Sequence, residues 1–305
     1  MLIRIFQILF FLTFFNLIFA QTEFIYVLGN VQDAGLPHIG CQHKFCKDKF
    51  GEFEQYFTTS IAVIDPVEKK YILFEATPDI PYQLNYLEKE IFNEFILPES
   101  IFITHAHIGH YTGLMYFGRE ALGAKNLMIK VLPKMSNFLK INGPWSQLVN
   151  INNIKIQSLN FGSNTHELRN ITVTPIQVPH RDEYSETAGF IIEGSNKRAL
   201  FIPDIDKWEK WDKNLKQLVY EFDYLLLDAT FYDSKEINRD ISEIPHPLVT
   251  ETIDLLDDLS SELKNKVYFI HMNHTNLMLD PSSDITKLVT NKGFNITRLG
   301  LKLFL

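Results

Sequence analysis

The sequence predicts an α/β fold, because short β-rich runs alternate with helix-patterned segments from Phe24 onward. The β-rich runs hold β-branched and aromatic residues and end at turn residues, as FIYVLG does at 24–29 and SIAVID at 60–65. No Pro-, Gly- or Ser-rich linker and no repeat of fixed period interrupts this alternation. We therefore expect one domain from about 21 to 305.

The remaining elements follow in chain order. YILFEA at 71–76 indicates a third strand, and the segment 81–95 has helical spacing, with Pro81 suited to a first helical turn. ESIFIT at 99–104 indicates the next strand. Further strands are predicted at 127–133, 170–179, 186–194, 198–204, 224–228 and 266–271, with helices at 206–222 and 247–264. Several strands end in Asp or His, and loops at strand ends are where catalytic groups are usually displayed.

The composition is that of a globular protein. The 305 residues are 46% hydrophobic and 22% charged, so the chain can bury a sizeable core. The net charge of −8 argues against a protein that binds the phosphates of a nucleic acid. We expect a small-molecule substrate and no nucleic-acid partner, while the oligomeric state does not follow from the sequence.

The first twenty residues have the pattern of a secretory signal peptide. Arg4 precedes an apolar run from 5 to 20 that is interrupted only by Gln7 and Asn16. We expect cleavage near Ala20, export to a periplasmic or extracellular compartment, and no stable membrane insertion afterwards. The alternative is an uncleaved membrane anchor, because Ile18 is bulkier than usual at its distance from the cleavage site.

Two cysteines, Cys41 and Cys46, lie in the segment PHIGCQHKFC. In an oxidising compartment they would form a disulfide. With His38 and His43 they would instead supply four ligands for a structural zinc ion. The spacing suits both interpretations.

Three histidines, His105, His107 and His110, occur within the six residues HAHIGH, directly after the strand that ends at Thr104. Zn²⁺ suits imidazole nitrogen, and an open coordination position lets the ion lower the pKa of a bound water to about 7. The cluster therefore predicts a catalytic metal site.

The segment THAHIGHYTGL resembles the H-x-H-x-D-H signature of the metallo-β-lactamase superfamily. The later strand ends match too, because His180, Asp204 and His271 resemble the superfamily's third metal-binding motif, its bridging acid and its last histidine ligand. The resemblance implies an αββα sandwich of two mixed β-sheets flanked by helices. It also implies a hydrolase that uses a zinc-bound hydroxide on an ester, lactone or phosphodiester.

Two metal sites follow from the resemblance, with a bridging hydroxide as nucleophile. One metal would be held by His105, His107 and His180, and the other by His110, Asp204 and His271. Gly109 departs from the signature, which has a ligating Asp there, so we expect a weaker second site or a single metal. Zinc is the expected ion, with iron or manganese as alternatives.

Three further histidine and carboxylate positions carry predictions. His274 competes with His271 as the last ligand, and His271 is preferred because it ends a strand. His246 resembles the mobile-loop histidine of the superfamily's phosphodiesterase branches and is our candidate general acid. Asp228 would orient it through a hydrogen bond.

A narrower resemblance rests on VLGNVQDAGLPHIGCQHKFC together with FIHMNHTN. Both segments are similar to the B protein family of pyrroloquinoline quinone biosynthesis, another metallo-β-lactamase-fold branch. The resemblance implies oxidative chemistry as the alternative to hydrolysis. A non-catalytic metal-binding protein is the third possibility, and Gly109 is the residue that supports it.

Overall fold

The structure, a computed structural model, describes residues 22–49, 56–236 and 244–305. The predicted signal peptide at 1–20 lies outside these residues. Within the described ranges no helix is both long and apolar enough to cross a membrane. The described strands form two seven-stranded sheets.

The first sheet is built mainly from the N-terminal part of the chain. Its strand order is β14-β1-β2-β3-β4-β5-β6. Strands β14 to β3 pair antiparallel and β3 to β6 pair parallel, so the sheet is mixed. The strands are β1 (Phe24–Gly29), β2 (Ser60–Asp65), β3 (Lys70–Phe74), β4 (Ser100–Phe102), β5 (Leu127–Val131), β6 (Ile154–Ser158) and β14 (Lys302–Phe304).

The second sheet repeats this arrangement in the C-terminal part. Its order is β13-β12-β11-β10-β9-β8-β7. Strands β10 to β13 pair parallel, and β7 to β10 pair antiparallel. The strands are β7 (Thr165–Leu168), β8 (Ile171–Gln177), β9 (Ala188–Glu193), β10 (Arg198–Ile202), β11 (Tyr224–Asp228), β12 (Val267–Ile270) and β13 (Asn295–Ile296).

Helices cover the outer faces of both sheets. Hydrophobic side chains of α2, α4 and α5 pack on the first sheet, and those of α6, α7 and α9 pack on the second. The helices are α1 (Lys44–Asp48), α2 (Ile80–Leu87), α3 (Ile108–Tyr111), α4 (Pro133–Ile141), α5 (Trp145–Asn150), α6 (Leu215–Glu221), α7 (Val249–Leu255), α8 (Ser261–Lys264) and α9 (Asp284–Asn291).

The alternation of side chains along each strand divides the core into three layers. In β3, Ile72 and Phe74 point into the core between the sheets, while Leu73 packs under the helices of the first sheet. In β10, Phe201 enters the same central core and Leu200 faces the helices of the second sheet. This layering is the predicted αββα sandwich of two mixed sheets, which the structure confirms.

Several predicted element boundaries were wrong for local reasons. The predicted helix at 206–222 is a short 3₁₀ turn at Trp208–Lys210 followed by α6, which Asn214 caps by accepting a hydrogen bond from the Gln217 N–H. The predicted helix at 247–264 is divided into α7 and α8. The helix predicted at 81–95 contains α2 and one π turn, and it ends where Asn93 adopts a left-handed φ of 57°.

Phe74 lies at the centre of the inter-sheet core, with its ring 5.0 Å from that of Phe102 and 5.3 Å from that of Phe190. We expect Phe74→Ala to lower the free energy of unfolding by about 3–5 kcal/mol, because it leaves a cavity that the two sheets do not close. Phe95→Ala is the matched control, since Phe95 is 46% exposed. Urea unfolding of both variants measures the difference, and equal losses would contradict the central role of Phe74.

Candidate metal centre

The candidate ligands lie at one edge of the sandwich, where strands of both sheets end. His105 follows β4, Asp204 follows β10 and His271 follows β12. Because β10, β11 and β12 are parallel, their carboxyl ends meet at the same edge. The fold therefore brings His105 and His271, which are 166 positions apart in the chain, to the same edge of the sandwich.

The first group consists of His105, His107, His180 and Asp204, whose ligand atoms lie within 4.8 Å of one another. Asp204 Oδ2 is 3.3 Å from Nε2 of both His105 and His180. His107 Nδ1 lies 2.8 Å from His105 Nε2 and 3.3 Å from His180 Nε2. Donors bound to one tetrahedral zinc lie roughly 3.3 Å apart, so these four atoms surround a point suited to the ion.

Unsatisfied buried atoms support the same interpretation. Nε2 of His110 and Nε2 of His271 are both buried, and neither makes a well-aligned hydrogen bond in the described structure. Buried polar groups normally have partners, so each exception calls for an explanation. A bound cation satisfies all of these atoms, and the residues present therefore fit a metal.

Asp204 links the first group to His110. Its Oδ2 is 3.7 Å from His110 Nε2, and its Oδ1 is 3.1 Å from His246 Nδ1. Burial by itself would raise the pKa of Asp204, but the imidazoles of His180 and His246 outweigh burial and hold that pKa well below its usual range. Asp204 is therefore a carboxylate, the form that ligates metals and the form implied for a bridging acid.

A second group consists of Asp33, His110 and His271. Asp33 Oδ1 lies 3.0 Å from His110 Nε2 and 3.6 Å from His271 Nε2. The side chains of His110 and His271 are 1% and 0% exposed. The sequence predicted the two histidines together but did not include Asp33, which lies in the loop after β1.

Polar groups behind the ligands fix their orientations. Thr104 Oγ1 lies 2.8 Å from His105 Nδ1, and the Glu75 carboxylate lies 3.4 Å from His110 Nδ1. Thr230 Oγ1 lies 3.1 Å from His271 Nδ1. Such outer contacts leave the opposite ring nitrogen free to bind the metal. Glu75 and His271 both have positive φ, 73° and 65°, a strained backbone conformation that is typical of functional sites.

His246 and Asp228 lie together beside the first group, as predicted. Asp228 Oδ2 is 2.8 Å from His246 Nδ1, and both side chains are buried. The His246 ring centroid is 5.5 Å from that of His180 and 6.3 Å from that of His271. Burial lowers the pKa of His246, but Asp228 and Asp204 outweigh it and raise that pKa to about 10. Both carboxylates thus favour the protonated form of the imidazole.

His274 belongs to none of the groups of candidate metal ligands in the described residues, which corrects its inclusion among them. The residue lies past the strand end, and its ring stacks on His38 at a centroid distance of 4.0 Å. His271 belongs to the second group instead. Burial, followed by the charges of His38 and His43, lowers the pKa of His274 to about 4.

Cys41 and Cys46 are free thiols rather than the predicted disulfide partners. The His38 N–H donates to Cys46 Sγ at 3.0 Å, and the His43 N–H donates to Cys41 Sγ at 3.4 Å. The loop thus gathers the four predicted structural-zinc residues near His274. A zinc ion at this loop stays a prediction.

Sequence reasoning missed Asp33 and Glu75, although each had a recognisable signal. Asp33 lies four residues after the strand FIYVLG, and Glu75 directly follows β3. Both obey the rule, applied to Asp204, that acids at strand ends are candidate site residues. Neither residue lies in the histidine segment that the superfamily signature describes.

The family comparison agrees with this geometry. The family described as Beta-lactamase superfamily domain matches residues 70–272. Relatives of similar length are named coenzyme PQQ synthesis protein B. The protein from Methylococcus capsulatus is 22% identical over 92% of this chain and 99% of its own length, and that from Methylorubrum extorquens strain PA1 has the same values.

Solved structures share the fold. Zinc-bound PqqB from Methylobacterium extorquens has a TM-score of 0.76 at 20% identity, covering 92% of this chain and 100% of that one. A diphosphatase from the PhnP family has a TM-score of 0.62 at 23% identity, covering 92% and 96%. The predicted resemblance to this superfamily, and to its PQQ synthesis protein B branch, is thereby confirmed.

We expect His180→Ala to weaken zinc binding at the first group by at least about 100-fold, since loss of an outer-shell partner alone costs 10- to 100-fold. Competition with a fluorescent zinc chelator measures the affinity. His166→Ala is the matched control, because His166 is exposed on β7. Unchanged zinc affinity in His180→Ala would contradict the assignment of this ligand.

Proposed function

The chain belongs to the β-lactamase superfamily, and from that premise we propose that it is a metal-dependent hydrolase that cleaves a phosphodiester. One observation carries the proposal. A complete group of three imidazoles and one carboxylate lies directly beside the His246 imidazole, whose Nδ1 is held by Asp228. The first arrangement suits a metal ion, and the second suits a proton donor.

The protein's own residues define the metal-binding role. His105, His107 and His180 would hold the ion through Nε2, Nδ1 and Nε2, and Asp204 would hold it through Oδ2. A bound zinc ion supplies a Lewis acid and a coordinated water of lowered pKa. Iron and manganese accept imidazole and carboxylate donors as well.

His246 is suited to protonate the leaving group. Its Nδ1 is held by Asp228 at 2.8 Å, so Nε2 is the nitrogen that remains to donate. Asp228 is itself fixed, because it accepts hydrogen bonds from the Ile205 N–H and from the N–H and hydroxyl of Thr230. The carboxylate therefore holds the imidazolium in one orientation, as a general acid requires.

A phosphodiester is the substrate class that uses both features. Its alkoxide leaving group is a strong base and needs a proton as the bond to phosphorus breaks. Its anionic oxygens are attracted to a metal ion and to the neighbouring His246 imidazolium. Esters and lactones use the same metal but have less need of a second positive charge. The diphosphatase of the PhnP family, which shares the fold, supports the same substrate class.

A second candidate is a role in coenzyme PQQ synthesis with oxidative chemistry. The observation in its favour is that the relatives carrying that name match over 99% of their own length. Oxygen consumption by the iron-loaded protein would favour this role, and hydrolysis by the zinc-loaded protein in the absence of oxygen would favour the first. A purely metal-binding role loses its main support, because Asp33 supplies a carboxylate beside Gly109.

Export of the mature chain is a further part of the proposal. Residues 1–20 have the signal-peptide pattern described above. We expect protein recovered from the periplasm or culture fluid to begin near Gln21, as N-terminal sequencing would determine. Recovery of the chain from the membrane fraction with residues 1–20 intact would support the anchor instead.

Substrates with different leaving groups test whether His246 acts as the general acid. We expect His246→Gln to slow cleavage of an alkyl phosphodiester by about 10²- to 10⁴-fold. Cleavage of a bis(p-nitrophenyl) phosphodiester should change far less, because p-nitrophenolate leaves without a proton. Steady-state turnover of both substrates gives the comparison.

Asp228→Asn should show the same selectivity with a smaller loss, because its role is to hold His246. Zinc content is measured for each variant, so that lost metal is not mistaken for a lost proton donor. An equal loss for both substrates at unchanged zinc content would contradict the general-acid role.

A further inference from the structure

The space beside Gly109 is filled by another part of the chain. A Cβ placed on Gly109 would overlap the Oδ1 and Cα atoms of Asp33 and would lie 3.0 Å from its Cβ. The superfamily signature has its ligating Asp at this position. Here the aspartate Asp33, from a different segment, occupies the space that the side chain of the signature Asp would take. Its Oδ1 faces His110 and His271.

We propose that Asp33 replaces the signature carboxylate and that the centre consequently binds a second metal ion. The ligands of this ion are Asp33, His110 and His271, with Asp204 shared between the two ions. The substitution of Gly at 109 therefore removes no carboxylate from the centre. It transfers that ligand from the histidine segment to the loop after β1.

Three buried atoms identify the point where the second ion binds. Asp33 Oδ1 lies 3.0 Å from His110 Nε2 and 3.6 Å from His271 Nε2, yet none of these buried atoms makes a well-aligned hydrogen bond in the described structure. Asp204 Oδ2 lies 3.7 Å from His110 Nε2, near enough to serve both ions. Two carboxylates and two imidazoles give the second ion four protein donors, as many as the first has.

Hydrogen bonds hold the loop that carries Asp33 next to His271. The Gln32 N–H donates to the Met272 carbonyl at 2.8 Å, and the Met272 N–H donates to the Asn30 carbonyl at 2.8 Å. The Asn30 side chain also donates to the Thr297 carbonyl. This backbone pairing positions Asp33 against the residue that follows His271, so the two ligands keep a defined spacing.

The loop and a side chain at 109 exclude each other. Cβ atoms in real proteins do not approach other heavy atoms closer than 3.0 Å, and here one of the overlapped atoms is the Asp33 Cα, which is backbone and cannot rotate away. Glycine at 109 is therefore required by the loop. The two residues act as a matched pair, so the earlier expectation of a weaker second site does not follow from Gly109.

Zinc stoichiometry tests the proposal independently of hydrolysis. After exhaustive dialysis, we expect Asp33→Ala to retain one equivalent of zinc fewer than the wild-type chain, as elemental analysis would measure. The measured quantity is the difference in zinc content between the variant and the wild-type chain. The absolute content is not used, because Cys41 and Cys46 offer a separate candidate zinc site. Asp33→Asn preserves the side-chain volume and should bind the second ion at least about 10-fold more weakly, since it lacks the charge.

Gln32→Ala is the matched control, since it alters the same loop without removing a carboxylate. We expect it to retain the wild-type zinc content. Unchanged zinc content in Asp33→Ala, or an equal loss in Gln32→Ala, would overturn the assignment of Asp33 as a ligand. The assignment of Asp33 rests on the proposed metal centre but not on the proposed substrate. Zinc content is measured without turnover, so a chain that fails to cleave phosphodiesters can still confirm or overturn it.

Gly109→Ala provides a second, independent variant. The added methyl group must displace the Asp33 loop, so we expect it to lose the same equivalent of zinc although every ligand is still present. Thermal unfolding of the zinc-free chains reports whether the variant folds. A folded Gly109→Ala chain with the wild-type zinc content would show that the Asp33 loop tolerates a side chain at position 109. It would thereby overturn the proposal that Gly109 and Asp33 act as a matched pair.

Discussion

The buried carboxylate of Asp204 is the constraint on which the centre depends. The side chain is 2% exposed, and a buried charge is stable only when it is paired or ligates a metal. Three imidazoles approach its Oδ2 within 3.7 Å, namely those of His105, His110 and His180, and a fourth, that of His246, approaches its Oδ1. Asp204, at the end of β10, thus joins the candidate metal ligands to His246, the proposed proton donor.

The sandwich supports this arrangement because both sheets present strand ends at the same edge. β4 contributes the histidine segment, while β10, β11 and β12 contribute Asp204, Asp228 and His271 from the other sheet. The aromatic core between the sheets, centred on Phe74, holds the two halves together. The ligands are therefore displayed on loops, but their anchors are buried strands, which is how a fold keeps ligands at defined distances.

The proposed exchange between Gly109 and Asp33 would let the site keep its chemistry while the motif changes. Asp33 lies outside the matched family domain, which begins at residue 70. The loop after β1 reaches the centre because β1 pairs with β2 and its extension pairs with Met272. A carboxylate at the correct point in space satisfies the histidines, whichever segment supplies it.

The sequence by itself determined the fold class and most strand positions, because strand periodicity is a local feature. The order of strand-end residues also selected the candidate ligands that the structure brings together, which are His105, His107, His110, His180, Asp204 and His271. The sequence also predicted the contact between His246 and Asp228. Only the tertiary structure decided that His274 stacks on His38, that the predicted long helices are interrupted, and that Asp33 lies against Gly109. These outcomes depend on contacts between residues that are distant in the chain. Local patterns carry no information about which loop fills the space that a missing side chain leaves.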